Sequence, residues 1–173
     1  FSDAIARWGL GGTAGALITA LTGIELALWD LKGKALGVPV YELLGGKFRD
    51  KIRVYADCQV EPGMDDGEIE RVVEGMLARG FTAFKIDLDI GAYTGKRIES
   101  QDPAFDRFNY TASEREHDRM VELVDRVTRI AGKDVAVAAD LHTRLDVPSA
   151  IRLAKALEPY HLLWLEEPVP PEN

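Results

Sequence analysis

Residues 135–168 read VAVAADLHTRLDVPSAIRLAKALEPYHLLWLEEP, and this stretch decides the fold. Residues 135–141 are rich in Val and Ala, which predicts a buried strand. Residues 147–157 have the apolar spacing of an amphipathic helix, and residues 161–166 return to a strand pattern. A strand, a helix and a second strand in this order predict two parallel strands joined by a crossover helix.

The same alternation extends toward the N-terminus. The sequence predicts strands at residues 51–58 and 81–89 and helices at residues 65–79 and 111–131. The order β-α-β-α-β-α-β indicates an α/β fold with a parallel sheet covered by helices, either a closed barrel or a doubly wound sheet. Because no Gly-x-Gly-x-x-Gly motif follows the first strand, the dinucleotide-binding version of the open sheet loses support.

Two further segments lie outside this alternation. Residues 12–36 predict a helix that Gly37 ends, and Pro39 can open a short second helix. The apolar face of the first helix, which we expect to be buried, comprises Leu17, Leu21, Ile24, Leu28, Leu31 and Ala35. Residues 90–110 are too long for an ordinary loop between a strand and a helix. This segment is either a lid or subunit contact, or a packed surface excursion without a chemical role.

Composition narrows the class of protein. The 173 residues carry 29 acidic and 21 basic side chains, a net charge of −8, and no Lys/Arg-rich stripe that could follow a phosphate backbone. Nucleic acid is therefore an unsuitable partner. No run approaches the ~20 apolar residues of a membrane span. Cys58 is the single cysteine, which excludes an internal disulfide and fits a reducing compartment. We expect a cytoplasmic enzyme with neither membrane nor nucleic-acid partners.

Carboxylates recur where the predicted strands end. In parallel α/β folds the site forms at the carboxyl ends of the strands. The residues expected at this rim are Asp57, Lys85, Asp87, Asp89, Asp140, His142, Glu166 and Glu167. Gathered like charges repel one another unless a cation or a base such as Lys85 offsets them. Mg²⁺ prefers oxygen ligands, so we expect it to occupy this rim.

Each of these residues also has a structural interpretation. Asp140 could cap the following helix or bond loop amides. Lys85 alternates with Phe84 and Ile86 and should face the interior or mouth of a barrel, where a salt bridge to Asp87 or Asp57 would also account for it. His142 could be a hydrogen-bonded loop histidine. The three tryptophans, Trp8, Trp29 and Trp164, are interpreted as packing residues.

Two long segments resemble one known group. Residues 20–45, ALTGIELALWDLKGKALGVPVYELLG, and residues 137–168 are similar to the mandelate racemase and muconate lactonizing enzyme group of the enolase superfamily. The resemblance implies a modified (β/α)₇β barrel beneath a capping domain, with metal ligands at the ends of the third, fourth and fifth strands. Asp140 and Glu166 match the first two ligands.

The resemblance also implies how the chain is organised. Residues 1–48 correspond to the helical end of the α+β capping domain, and residues 49–173 to the first four strands of the barrel. The third ligand and the His-Asp pair expected to act as base would lie past residue 173. We therefore expect a fragment or part of a longer protein, since a barrel of this type takes ~250 residues.

Within the group, two short motifs favour one branch. Relatives that racemise or cycloisomerise carry Lys-x-Lys on the second strand, whereas this chain has Lys85-Ile86-Asp87. Asp140-Leu141-His142 resembles the galactonate and mannonate type of acid-sugar dehydratase, in which this histidine helps to expel the 3-hydroxyl. We expect a Mg²⁺-dependent sugar-acid dehydratase, with His142 and Lys85 in catalysis and Asp87 and Arg144 in substrate binding.

Other assignments stay open at this point. A racemase, epimerase or cycloisomerase of the same superfamily is one alternative, and a non-catalytic relative is another. We also expect a homo-oligomer.

Overall fold

The computed structural model describes residues 15–60, 64–88 and 110–171. The chain divides into two compact units, Phe1–Ile52 and Arg53–Asn173. The domain boundary after residue 48 inferred from the sequence stays a prediction. The predicted irregular segment 90–110 lies outside the described residues, apart from Tyr110.

The first unit contains a long helix, α1 (Ala16–Leu36), and a short helix, α2 (Val40–Leu43). Helix α1 ends at Gly37, which adopts φ 68° and donates its backbone N–H to the carbonyl of Lys34. No helix in the described ranges is apolar over a length that could cross a membrane.

The expected burial of the apolar face of α1 is not observed. Ile24, Leu28 and Leu31 are 59%, 59% and 63% exposed. Within the described residues of this unit, the four-residue α2 is the one other helix, and so short a helix cannot cover a face that is five turns long. Helical periodicity correctly predicted the helix here. The pattern shows that the helix has an apolar face, but it does not show which surface packs against that face.

The second unit is built on a parallel sheet of four strands in the order β1-β2-β3-β4. The strands are β1 (Ala56–Asp57), β2 (Ala83–Asp87), β3 (Ala136–Asp140) and β4 (Leu165–Glu166). Helices α3 (Asp66–Ala78), α4 (Glu114–Ala131) and α5 (Val147–Leu157) connect them, and a 3₁₀ turn (Glu158–Tyr160) follows α5. The predicted order of strands and helices is confirmed.

Each connecting helix begins at a side chain that accepts backbone N–H groups. Asp65 and Ser113 form capping boxes with Glu68 and Glu116, three residues further on in each case. Asp146 caps α5 by accepting the N–H of Ser149 at 2.8 Å. These caps satisfy donors that a helix start would otherwise leave unpaired, and they fix where each loop ends.

The two outer strands are shorter than the sequence predicted. Residues 51–58 and 161–166 were expected as strands, whereas β1 and β4 have two residues each. Each outer strand pairs with one neighbour in the described sheet, and the continuous ladder with that neighbour covers only two residues. Isolated bonds extend the pairing, such as Cys58 N–H to the carbonyl of Lys85 at 2.8 Å and Leu163 N–H to that of Val137 at 2.7 Å.

The two faces of the sheet have different roles. Phe84 and Ile86 on β2 and Val137 and Ala139 on β3 join the buried side chains of the helices in one core. Lys85 and Asp87 alternate with the β2 core residues and therefore lie on the opposite face. That face also carries Asp140 of β3 and Glu166 of β4, which stand in register with Asp87.

Candidate metal centre and active site

Three acidic residues lie level with one another at the carboxyl ends of adjacent strands. The register pairs Asp87 of β2 with Asp140 of β3, and Asp140 with Glu166 of β4. Because side chains alternate along a strand, residues paired in register point to the same face of the sheet. The sequence placed Asp140 and Glu166 at strand ends and Asp87 near the end of a strand predicted to reach residue 89, and the parallel register brings the three into one row.

The ammonium group of Lys85 connects two of these carboxylates. Its Nζ donates to Oδ2 of Asp140 at 2.5 Å and lies 3.6 Å from Oε1 of Glu166. The side chains of Lys85 and Asp140 are 15% and 3% exposed, so this ion pair is largely removed from water. Asp140 and Glu166 therefore both face one cationic group. These partners are different carboxylates from Asp87 and Asp57, which the sequence suggested for Lys85.

The pKa values of the pair shift in opposite directions. Burial alone would raise the pKa of the Asp140 carboxyl, but the hydrogen bonds from Lys85 and from the backbone of His142 outweigh it and hold that pKa below its usual range. Burial alone would lower the pKa of Lys85, but the hydrogen bond and charge of Asp140 and the charge of Glu166 raise it above its ordinary value. Both groups are charged at neutral pH.

His142 lies beside Asp140 in a strained loop. Its backbone N–H donates to Oδ1 of Asp140 at 3.0 Å, and its Nε2 lies 3.5 Å from Oδ2 of the same carboxylate. His142 and Thr143 have φ of 43° and 62°, a left-handed conformation that costs energy in residues other than glycine. Thr143 N–H donates to the carbonyl of Glu167 at 2.7 Å, which ties this loop to the end of β4.

The structural interpretation of Asp140 is partly correct. Asp140 does bond a loop amide, that of His142, but Asp146 is the residue that caps the following helix. A single carboxylate thus fixes the loop through Oδ1 and directs Oδ2 toward Lys85. A carboxylate that binds a metal ion has to be held in a fixed orientation, and these two contacts hold Asp140 in this way.

Asp87 belongs to a second grouping, made of residues that the sequence placed at this rim without assigning Asp87 to the metal. Ligand atoms of Asp87, Asp140 and His142 all lie within 4.8 Å of one another, close enough to hold one metal ion. The sequence assigned Asp87 to the substrate, because alternation along β2 alone does not show which residue of β3 stands opposite. The register between the strands is the signal that was missing.

Arg144, the other residue assigned to the substrate, has a partner within the protein. Its guanidinium lies 3.3 Å from Oε1 of Glu116 in the capping box of α4, and the two side chains are 12% and 15% exposed. This ion pair connects the loop after β3 to the start of α4. The assignment of Arg144 to substrate binding stays a prediction. Asp89, expected at the same rim, lies outside the described residues.

The donor set suits a hard divalent cation. Asp87, Asp140 and Glu166 end three adjacent strands level with one another, and the ammonium of Lys85 lies beside the last two. Asp57 ends β1 level with Lys85, two residues before Asp87. Carboxylates gathered at adjacent strand ends repel one another, and a divalent cation would offset that repulsion. Carboxylate oxygens are the ligands that Mg²⁺ and related hard cations prefer. Asp140 and Glu166 would hold such an ion, and Asp87 and His142 place ligand atoms within 4.8 Å of one on Asp140.

Comparison with known proteins agrees with this architecture. Residues 68–173 match the family described as "Enolase C-terminal domain-like", and residues 4–45 match the family described as "Mandelate racemase / muconate lactonizing enzyme, N-terminal domain". D-xylonate dehydratase of Haloferax volcanii is 43% identical over 169 residues, covering 95% of this chain and 38% of the relative. The D-galactonate dehydratase family member ManD of Chromohalobacter salexigens is 38% identical over 162 residues, covering 90% and 40%.

Solved structures give the same result. A mandelate racemase/muconate lactonizing enzyme-like protein from Rubrobacter xylanophilus superimposes with a TM-score of 0.80 at 46% identity, covering 99% of this chain and 45% of that protein. A putative dehydratase from Mesorhizobium loti gives 0.79 at 31% identity, covering 99% and 43%. The chain spans about two fifths of the length of these relatives. With both domain types matched in order, this chain belongs to the mandelate racemase and muconate lactonizing enzyme group of the enolase superfamily.

Proposed function

We propose that the protein is a Mg²⁺-dependent dehydratase that converts a sugar acid to a 2-keto-3-deoxy acid. Relatives that cover most of this chain carry the names D-xylonate, D-gluconate, D-galactonate and D-mannonate dehydratase. These names differ in the sugar and agree in the reaction, which supports the reaction class more strongly than any particular substrate.

One observation carries the proposal. Asp140 and Glu166, from adjacent strands, both face the ammonium of Lys85, at 2.5 Å and 3.6 Å, and His142 lies next to Asp140. Two carboxylates that converge on one cationic group support the proposal that a divalent ion binds at this position. An imidazole at the edge of that site is within reach of a ligand bound there.

The reaction removes the proton on the carbon next to the substrate carboxylate and expels the hydroxyl of the following carbon. When bound, Mg²⁺ supplies positive charge that stabilises the negative charge developing on the carboxylate oxygens. The base that takes the first proton is not assigned to a residue of this chain. His142 donates a proton to the departing hydroxyl, so that water leaves and the enol product becomes the 2-keto acid.

Lys85 has an electrostatic role in this proposal. Its pKa is raised, so the side chain stays protonated and is unsuited to act as a base at neutral pH. An ammonium held beside Asp140 can attract the substrate carboxylate toward the metal site. Asp87 and Arg144 stay assigned to substrate binding, and the cytoplasmic location and homo-oligomeric state stay predictions.

The test is turnover by the full-length protein. D-xylonate, D-gluconate, D-galactonate and D-mannonate are incubated with Mg²⁺ or with chelator, and we expect a 2-keto-3-deoxy acid from at least one of them only when Mg²⁺ is present. The reaction is also run in deuterium oxide. Deuterium at the α-carbon without loss of water would instead indicate an epimerase, and absence of both reactions and of Mg²⁺ binding would indicate a non-catalytic relative.

A further inference from the structure

The two carboxylate oxygens of Glu166 have different partners. The indole N–H of Trp164 donates to Oε2 at 2.9 Å, whereas Oε1 lies 3.6 Å from Nζ of Lys85. One oxygen is therefore engaged by a neutral donor, and the other faces the cationic side of the site. A tryptophan N–H is a donor only, so it cannot itself bind a metal ion.

Backbone contacts fix the position of Trp164 beside β3. Trp164 precedes Glu166 by two residues, so both side chains lie on the same face of the extended chain. The carbonyl of Trp164 accepts the N–H of Ala139 at 3.1 Å, which ties its backbone to β3. By the parallel register, Ala138 of β3 stands level with Trp164, and its methyl group leaves room for the indole.

A second aromatic ring supports the indole from across the sheet. Tyr55, which precedes β1, packs edge-on against Trp164 with ring centroids 5.2 Å apart and an angle of 73°. Neighbouring strands lie about 4.8 Å apart, so β1 and β4 would be separated by about 14 Å in a flat sheet. The long side chains of Tyr55 and Trp164 reach across β2 and β3, where the register places Ala83 level with Tyr55 and Ala138 level with Trp164. An edge-to-face pair of this kind restricts the rotation of both rings.

We infer that Trp164 is a positioning residue, which holds Oε2 of Glu166 so that Oε1 alone is presented to the metal ion. Tyr55 keeps the indole in the orientation that this hydrogen bond requires. The inference rests on the proposed function in one respect, that the ion bound by Glu166 is Mg²⁺. It predicts ligation through a single oxygen of Glu166, and it assigns Trp164 a purpose beyond the packing that the sequence indicated.

Two substitutions separate the N–H group from the bulk of the ring. Trp164→Phe keeps an aromatic ring against Tyr55 but removes the donor. Trp164→His removes the six-membered ring but places Nε2–H where the indole N–H was. Mg²⁺ affinity is measured by calorimetric titration of the full-length protein and its variants, with Trp29→Phe in the first unit as the matched control.

We expect Trp164→Phe to weaken Mg²⁺ binding about tenfold, the typical effect of removing a hydrogen-bond partner of a metal ligand. Trp164→His should bind within about threefold of the wild type, and Trp29→Phe should match it. Thermal unfolding without Mg²⁺ should show a larger loss for Trp164→His than for Trp164→Phe, because the histidine variant loses more packing. Trp164→Phe would then lose more Mg²⁺ affinity, and Trp164→His would lose more stability.

Other results overturn the inference. Equal affinity in Trp164→Phe and the wild type would show that the N–H does not position Glu166. Equal losses in both Trp164 variants, or a greater loss with histidine, would make packing the cause. A wild-type protein that does not bind Mg²⁺ would refute both this inference and the metal requirement of the proposed function. A protein that binds Mg²⁺ but dehydrates no sugar acid would refute only the proposed function.

Discussion

Lys85 and Asp140, 55 residues apart in the chain, form an ion pair with Nζ 2.5 Å from Oδ2. Lys85 stands level with Ala138, two residues before Asp140 on the neighbouring strand. Its side chain must therefore extend toward the strand ends to reach the carboxylate. The ion pair holds the ammonium of Lys85 at the carboxyl ends of the strands, next to the row formed by Asp87, Asp140 and Glu166.

Replacing Lys85 by Met should destabilise the protein by about 3 kcal/mol, because it leaves the buried Asp140 carboxylate without its cationic partner. Urea denaturation of the full-length protein in chelator measures this loss. Lys34→Met is the matched control, since Lys34 and Asp30 form a 2.6 Å ion pair whose side chains are 73% and 58% exposed. Its loss should stay below about 1 kcal/mol. Similar losses for the two variants would show that burial does not strengthen the Lys85 pair.

Asp140 and His142 should separate metal binding from dehydration. Asp140→Ala removes a carboxylate that faces the cation, so Mg²⁺ titration should show a large loss of affinity. His142→Asn should bind Mg²⁺ nearly as the wild type does and lose most dehydration activity, because asparagine cannot donate the proton that the departing hydroxyl needs. Unchanged turnover in His142→Asn would remove its role as acid, and unchanged affinity in Asp140→Ala would remove that residue from the ligands.

The fold could be predicted from the sequence where local pattern decides the structure. Periodicity identified the helices of the second unit, and capping residues such as Asp65 and Ser113 mark where two of them begin. The lengths of β1 and β4 could not be predicted in this way, because apolar composition does not show how far the hydrogen-bonded ladder with a neighbouring strand extends. The exposure of α1 was missed for the same reason, since burial depends on a partner surface.

The candidate site could be predicted only as a set of positions. Strand ends identified Asp140 and Glu166, but the pairing of Lys85 with both depends on the register between strands that are distant in sequence. The left-handed backbone at His142 and Thr143 has no signal in the residue types, since neither is glycine. The hydrogen bond from Trp164 was missed because a tryptophan next to apolar residues is equally typical of simple packing.

The cap of α5 should make stability depend on pH. The hydroxyl of Thr111, at 2.6 Å, and the side chain and backbone of Ser149 lower the pKa of Asp146. A carboxyl whose pKa is lower in the folded state adds stability above its unfolded pKa of about 3.9, and this stability is lost as the pH falls through the lower folded value. Asp146→Asn keeps a capping oxygen but does not titrate. We expect its unfolding free energy to fall less steeply than that of the wild type below about pH 4.

Asp146→Ala, in contrast, removes the cap itself. It should lose about 1 kcal/mol at neutral pH, where Asp146→Asn should lose less. Denaturation curves between pH 7 and pH 3 distinguish the two variants. Identical pH dependence in wild type and Asp146→Asn would show that this carboxyl does not contribute to acid sensitivity.

Cys58 should be inert in the folded protein. Its side chain lies in the core at 1% exposure, and burial together with the nearby charge of Asp57 raises the pKa of the thiol to about 11. The reactive thiolate is therefore scarce at neutral pH and shielded from reagents. A thiol reagent should label wild type and Cys58→Ser to the same extent when folded, and wild type by one further group after unfolding in guanidinium. Rapid extra labelling of the folded wild type would contradict the burial.

Thr143 offers a test of whether backbone strain in the loop after β3 serves the reaction. Its φ of 62° is unfavourable for a β-branched residue, and glycine adopts this conformation without steric cost. Thr143→Gly should therefore raise the unfolding free energy by about 1 kcal/mol, since the relief of strain exceeds the added entropy of the unfolded chain. The same change should lower dehydration, because a glycine next to His142 lets the imidazole move away from Asp140.

The control for Thr143→Gly is Thr128→Gly within α4, where the native backbone is helical and replacing threonine by glycine should cost about 0.5 kcal/mol. Urea denaturation and turnover with Mg²⁺ are measured for both variants. Higher stability with lower turnover in Thr143→Gly alone would show that strain at this loop is retained because it holds His142 in place. Higher stability with full turnover would show that the positive φ merely closes the connection between β3 and the residues after β4, which the hydrogen bond from Thr143 to Glu167 already secures.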